Sequence, residues 1–165
     1  MTHYPKGSTQ RLSENFRAYE FDCPGKGCCT ETPIDEKLVQ YLQKIRTHFG
    51  KPIVVLGYRC ATYNAKTPNA SPTSRHTKGM AADFSIAGVK PSEIAKYAES
   101  IGVKGIGLYE GKDNFVHIDT RTTKSFWYGH AQAYRSTFGG APKEEYTHEQ
   151  FVRDVQKACG AKVDG

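Results

Sequence analysis

The stretch SRHTKGMAADF, residues 74–84, sets a histidine in a polar loop and, seven positions later, an aspartate within an otherwise apolar strand. Gly79, Ala81 and Ala82 lie between them and are small enough to let loop and strand approach closely. A carboxylate at Asp83 is costly to bury unless something positive compensates it. His76 and Asp83 are therefore read together, as two halves of one site.

The flanking segments give the fold class. Upstream, TPIDEKLVQYLQKIRTHFG predicts a helix, with Thr32 as N-cap, Pro33 at the first helical position and Asp35 and Glu36 in the first turn. Leu38, Leu42, Ile45 and Phe49 fall on one face and Gly50 ends it, which makes it a core-packing helix. KPIVVLGYR reads as a short buried strand and MAADFSI as a second. KPSEIAKYAESIG predicts a helix opened by Pro91 and closed by Gly102. GIGLYEGKDNFVHIDTR predicts a hairpin, with strands at Ile106 to Tyr109 and Phe115 to Thr120 and a turn from Gly111 to Asn114. Helices and strands do not alternate strictly, so the expectation is an α+β domain with a mostly antiparallel sheet flanked by helices.

The chain has 165 residues, enough for one domain with a core and a short appendage. FGGAPKEE reads as a linker, so the main domain is expected to span 1–140. Within 141–165, Thr147 and Gln150 form a capping box, and Phe151, Val155 and Ala158 form an apolar stripe on a C-terminal helix. The net charge of +6 suits an acidic matrix. Lysines and arginines are scattered without a dense cluster among aromatics, so a solvated basic surface is expected rather than a nucleic-acid site. No apolar run approaches the length of a membrane span, and MTHYPKGSTQRLS shows no signal peptide. Five cysteines include the run CPGKGCC, with only Cys60 left as a possible further ligand. That pattern is read as reduced thiols or one opportunistic disulfide rather than a zinc knuckle.

His117, in NFVHIDT, is again a polar residue in an apolar strand. Two histidines and one aspartate are a standard set for a catalytic zinc with a fourth position open. Asp119 lies two residues beyond His117 on the same strand face, roughly 7 Å along at about 3.3 Å per residue, and is the expected general base. Asp113, at the turn, is the substitute. The other reading of Asp119 is as a residue that orients a histidine or pairs with Arg121.

These residues carry a family resemblance. SRHTKGMAAD resembles the Ser-x-His-x-x-Gly-x-Ala-x-Asp motif of the zinc D-Ala-D-Ala carboxypeptidases, a family that includes phage endolysin peptidases and shares its fold with the hedgehog signalling domain. GYR at 57–59, FVHID at 115–119 and LSENFRAYEFDC at 12–23 are similar to further family segments, and the resemblance spans roughly 12–130. It implies that His76, Asp83 and His117 bind zinc, that Arg59 faces the substrate and that Ser74 lines the pocket. Several members carry an acid three positions before the last histidine, where this chain has Asn114. The segment FVRDVQKACGAKVDG resembles the opening of a peptidoglycan-binding domain. The implied function is a monomeric zinc metallopeptidase that hydrolyses D-Ala-containing peptide bonds of bacterial peptidoglycan, made in the cytoplasm and acting on the wall as a phage or prophage lysin. The alternative is a non-catalytic, zinc-containing binding module of the same fold.

Overall fold

Thr32 and Pro33, expected to open the first helix, belong instead to a strand. The computed structural model describes residues 1–139. In it β1 (Thr2–Pro5) pairs antiparallel with β2 (Glu31–Ile34), which carries Thr32 and Pro33 away from helical geometry. The helix α1 therefore begins later, over Glu36–Phe49, capped by the Asp35 side chain on the Lys37 amide and closed by a left-handed Gly50. Leu38, Leu42 and Ile45 are buried as expected, while Phe49 is only partly buried.

The remaining elements follow the expected order and add one short helix and two strands. They are β3 (Ile53–Leu56), the short helix α2 (Ala61–Asn64), β4 (Ala81–Ile86), α3 (Pro91–Ser100), β5 (Gly105–Tyr109), β6 (Phe115–Asp119), β7 (Ser125–Tyr128) and β8 (Ala133–Arg135). They build one six-stranded sheet in the order β3-β4-β6-β5-β7-β8, antiparallel except between β5 and β7. The α+β class with a mostly antiparallel sheet is thus as expected. The strand β3 is not buried as expected: it forms a sheet edge and leaves Val54 79% exposed.

Alternation along the strands separates two faces. Ala82, Phe84, Ile106, Val116, Ile118 and Phe126 point into one core with residues of α1 and α3. The opposite face carries Asp83, His117, Gly107 and Trp127 in one row, since these are direct partners across β4, β6, β5 and β7. Among the described residues no helix is long and apolar enough to cross a membrane. The linker and C-terminal helix expected over 141–165 lie outside the described residues.

Candidate metal centre

The expected trio converges on that polar face. His76 comes from the 3-10 turn Arg75–Lys78, which is capped by the Ser74 hydroxyl on the His76 amide. Gly79 ends the turn in a left-handed conformation (φ 65°), and a Cβ there would lie 2.0 Å from the Pro33 carbonyl oxygen, so glycine lets the chain turn straight into β4. His76 Nε2 lies 3.2 Å from both His117 Nδ1 and Asp83 Oδ1, and His117 Nδ1 lies 2.8 Å from Asp83 Oδ1.

Each histidine is held from behind. His76 Nδ1 donates to the Gly57 carbonyl at 2.6 Å, which leaves the Nε2 lone pair facing inward. His117 Nε2 donates to Asp119 Oδ2 at 3.1 Å, which turns Nδ1 inward. Three acceptors thus face one point, an arrangement that calls for a cation. Ligands at about 2.0–2.2 Å from a tetrahedral zinc stand about 3.3–3.6 Å apart, so two of the three separations are close to that edge and the third is at hydrogen-bond distance. A histidine whose outer nitrogen is anchored by a carbonyl or carboxylate is the usual support of a metal ligand. The residues present therefore fit zinc.

The electrostatics carry the same demand. Burial opposes charge on His117, yet the carboxylates of Asp119 and Asp83 at its two nitrogens raise it to about 9. Burial would likewise raise Asp83, but His76 and His117 hold it far below the usual carboxylate range.

Asp119, expected as the general base, lies behind His117. It is fully buried, accepts from His117 on the side away from the converging atoms, and is gripped by Arg121 Nε and Nη2 at 2.8 and 2.6 Å. Burial raises its pKa, but His117 and Arg121 outweigh that and hold it low. Its two oxygens are thus engaged by His117 and by the adjacent Arg121. Asp113 stands at the exposed turn, where its Oδ2 accepts from His130 Nε2 at 2.9 Å.

The trio opens into a cleft of about 540 Å³ lined also by Arg59, Arg121, Tyr109, Trp127 and His130. Arg59 Nη2 donates to Ser74 Oγ at 3.3 Å, while its Nε is buried with no partner among the described residues. Trp127 Nε1 donates to Tyr109 Oη at 2.9 Å, and the indole lies 5.1 Å from the His117 ring, centroid to centroid.

Two glycines make this packing possible. A Cβ on Gly107 would lie 2.5 Å from the Trp127 ring, and one on Gly105 would lie 2.1 Å from Asp119 Oδ1. Trp127, Tyr109 and His130 were not singled out from the sequence. A signal for Trp127 lay in Gly107 of GIGLY, since a glycine inside a strand marks close approach by another group; Tyr109 and His130 had none.

A Peptidase M15 family model matches residues 14–119, more than half of the chain and all of the converging trio. The chain belongs to the Peptidase M15 family. Among individual members it is 36% identical over 104 residues to the probable peptidoglycan L,D-endopeptidase MepK of Haemophilus influenzae, covering 58% of this chain and 55% of that protein. It is 39% identical over 94 residues to the peptidoglycan L,D-endopeptidase MepK of Escherichia coli K12, covering 53% of this chain and 51% of that protein. The chain spans about half the length of the curated relatives it matches.

Proposed function

We propose that this M15 domain is a zinc-dependent, wall-lytic endopeptidase that hydrolyses peptide bonds in bacterial peptidoglycan. The observation that carries the reading is the convergence of His76 Nε2, Asp83 Oδ1 and His117 Nδ1, with both histidines anchored from behind. The MepK proteins, named as peptidoglycan L,D-endopeptidases, favour an endopeptidase over a carboxypeptidase.

His76, Asp83 and His117 would hold the ion. Zinc bound there supplies Lewis-acid polarisation of a carbonyl and lowers the pKa of water. Arg59, steadied by Ser74, lines the cleft and offers its guanidinium to the oxygen on which negative charge develops. Arg121 and Arg59 give the cleft a positive lining suited to the carboxylates of a stem peptide.

The base is assigned to His130, supported by Asp113. Outside the trio it alone, among the described residues lining the cleft, is of a type that takes up a proton near neutral pH. Asp113 accepts from Nε2 and so leaves Nδ1 as the proton acceptor.

The test is digestion of purified cross-linked muropeptides followed by mass spectrometry. Cleavage of the cross-linked dimers into smaller fragments is expected, abolished by chelator and lowered about 10²–10⁴-fold in His130→Gln. The fragment masses name the bond. Intact muropeptides after incubation with zinc-loaded protein would sink the catalytic reading in favour of a binding module.

A further inference from the structure

We propose that Cys23, Cys28, Cys29 and Cys60 bind a second zinc ion as a closed, structural tetrathiolate centre. The four Sγ atoms all lie within 4.8 Å of one another. Zinc–sulfur bonds of about 2.3 Å place tetrahedral sulfurs about 3.8 Å apart. The Cys23–Cys28 and Cys28–Cys29 sulfur separations are 3.5 and 3.9 Å. All four are free thiols, and among the described residues no disulfide competes for the same positions.

The surroundings support a ligand role over plain packing. Buried free cysteines ordinarily act as small apolar side chains within a core. Cys23 and Cys60 are buried, yet both stand outside the main hydrophobic cluster and face the other two thiols. Instead sulfur accepts from backbone: the Cys60 amide donates to Cys23 Sγ and the Tyr63 amide to Cys60 Sγ, both at 3.4 Å. Such donors are what thiolates use when they hold a metal.

Residues 22–30 form no helix or strand, and apart from Pro24 their apolar side chains are the cysteines themselves. Hydrogen bonds from Lys6 and Gly7 tie the loop down at Asp22, Gly25 and Thr30, but beyond Pro24 it brings no aliphatic or aromatic side chain to a core, and a metal supplies what a core cannot. Gly25 is shaped to the cluster, since a Cβ there would lie 2.4 Å from Cys28 Sγ.

Sequence spacing alone set Cys60 far from the other three. The fold brings it in because β3 runs back past residue 21, with the Tyr58 amide donating to the Phe21 carbonyl at 2.8 Å. Cys60 directly follows Arg59, and Gly57 carries the carbonyl that anchors His76. An ion bound by the four sulfurs would therefore staple the N-terminal loop to the segment that sets two parts of the cleft. Four protein ligands leave no open position, so its role is structural. The inference uses no residue of the cleft and stands independently of the peptidase reading.

The test uses the full chain purified under reducing conditions. Two zinc ions per chain are expected in the native protein, and one each in Asp83→Ala and Cys28→Ser. Replacement by cobalt(II) should give thiolate-to-cobalt charge-transfer bands in the native protein and in Asp83→Ala, and none in Cys28→Ser. Alkylation with peptide mapping should find the four cysteines protected until chelator is added. If Cys28→Ser does not fold, the native cobalt spectrum and the alkylation map decide. Absence of thiolate bands, metal-independent alkylation or a Cys23–Cys28 disulfide overturns the proposal. A native protein with a single zinc and strong thiolate bands would support this centre while removing the one in the cleft.

Discussion

Asp119 Oδ2 lies 3.1 Å from His117 Nε2, on the side of the imidazole opposite Asp83. A carboxylate in that position fixes the ring and raises the basicity of the inward nitrogen. Asp119→Asn keeps size and removes charge. Zinc affinity should fall about 10–100-fold, with turnover restored at excess zinc. Competition against a chelating dye, run beside an activity titration, measures both. Unchanged affinity with turnover that excess zinc does not rescue would return Asp119 to the role of base.

The raised pKa of His117 makes a signed prediction for the metal-free protein. Its value is about 9 against an ordinary 6.5, so the protonated ring is favoured in the folded state. That contribution to stability is fully present below pH 6.5 and is lost as pH rises through about 9. Thermal melts of stripped native protein and stripped His117→Gln should therefore differ most near pH 6 and converge towards pH 9.5. Zinc in the cleft replaces the proton, so the trend should vanish in loaded native protein. A pH-independent gap between the stripped proteins would contradict the pairing.

Arg59 donates through Nη2 to Ser74, while its buried Nε has no partner among the described residues. A lysine carries the charge but lacks the planar fork. Arg59→Lys should lose about 10²–10³-fold in kcat, close to the loss in Arg59→Ala, with zinc content unchanged. Near-native turnover in the lysine variant would remove Arg59 from the reacting centre.

The trio was legible because its chemistry is local: a histidine in a polar loop and two charged or polar residues inside apolar strands announce a cost that something must offset. What each carboxylate does was not legible. Asp119 shares a face with His117, as alternation requires, but its partners depend on Arg121 folding back from the strand end. The start of α1 was misplaced for a similar reason. Thr32 and Pro33 suit a helix N-terminus, yet pairing with Thr2–Pro5 claims them first, and no local pattern reports a partner that far away. Cys60 likewise joins Cys23, Cys28 and Cys29 only through the fold.

Gly107 provides the last test, because it links strand geometry to the cleft. It lies between His117 and Trp127 in the sheet register, and its missing side chain is the space the indole fills. An alanine Cβ would lie 2.5 Å from indole atoms, closer than packing allows, so the ring must shift. Trp127 would then lose its 2.9 Å bond to Tyr109 and its place beside His117. Gly107→Ala should cost about 1–3 kcal/mol of stability, the usual price of overpacking. Turnover should fall further than stability suggests, by about 10²-fold, because the displaced ring borders the reacting centre. Trp127 is the sole tryptophan of the chain, so its emission reports the shift without ambiguity. Native emission and native turnover in Gly107→Ala would show that the indole does not shape the site.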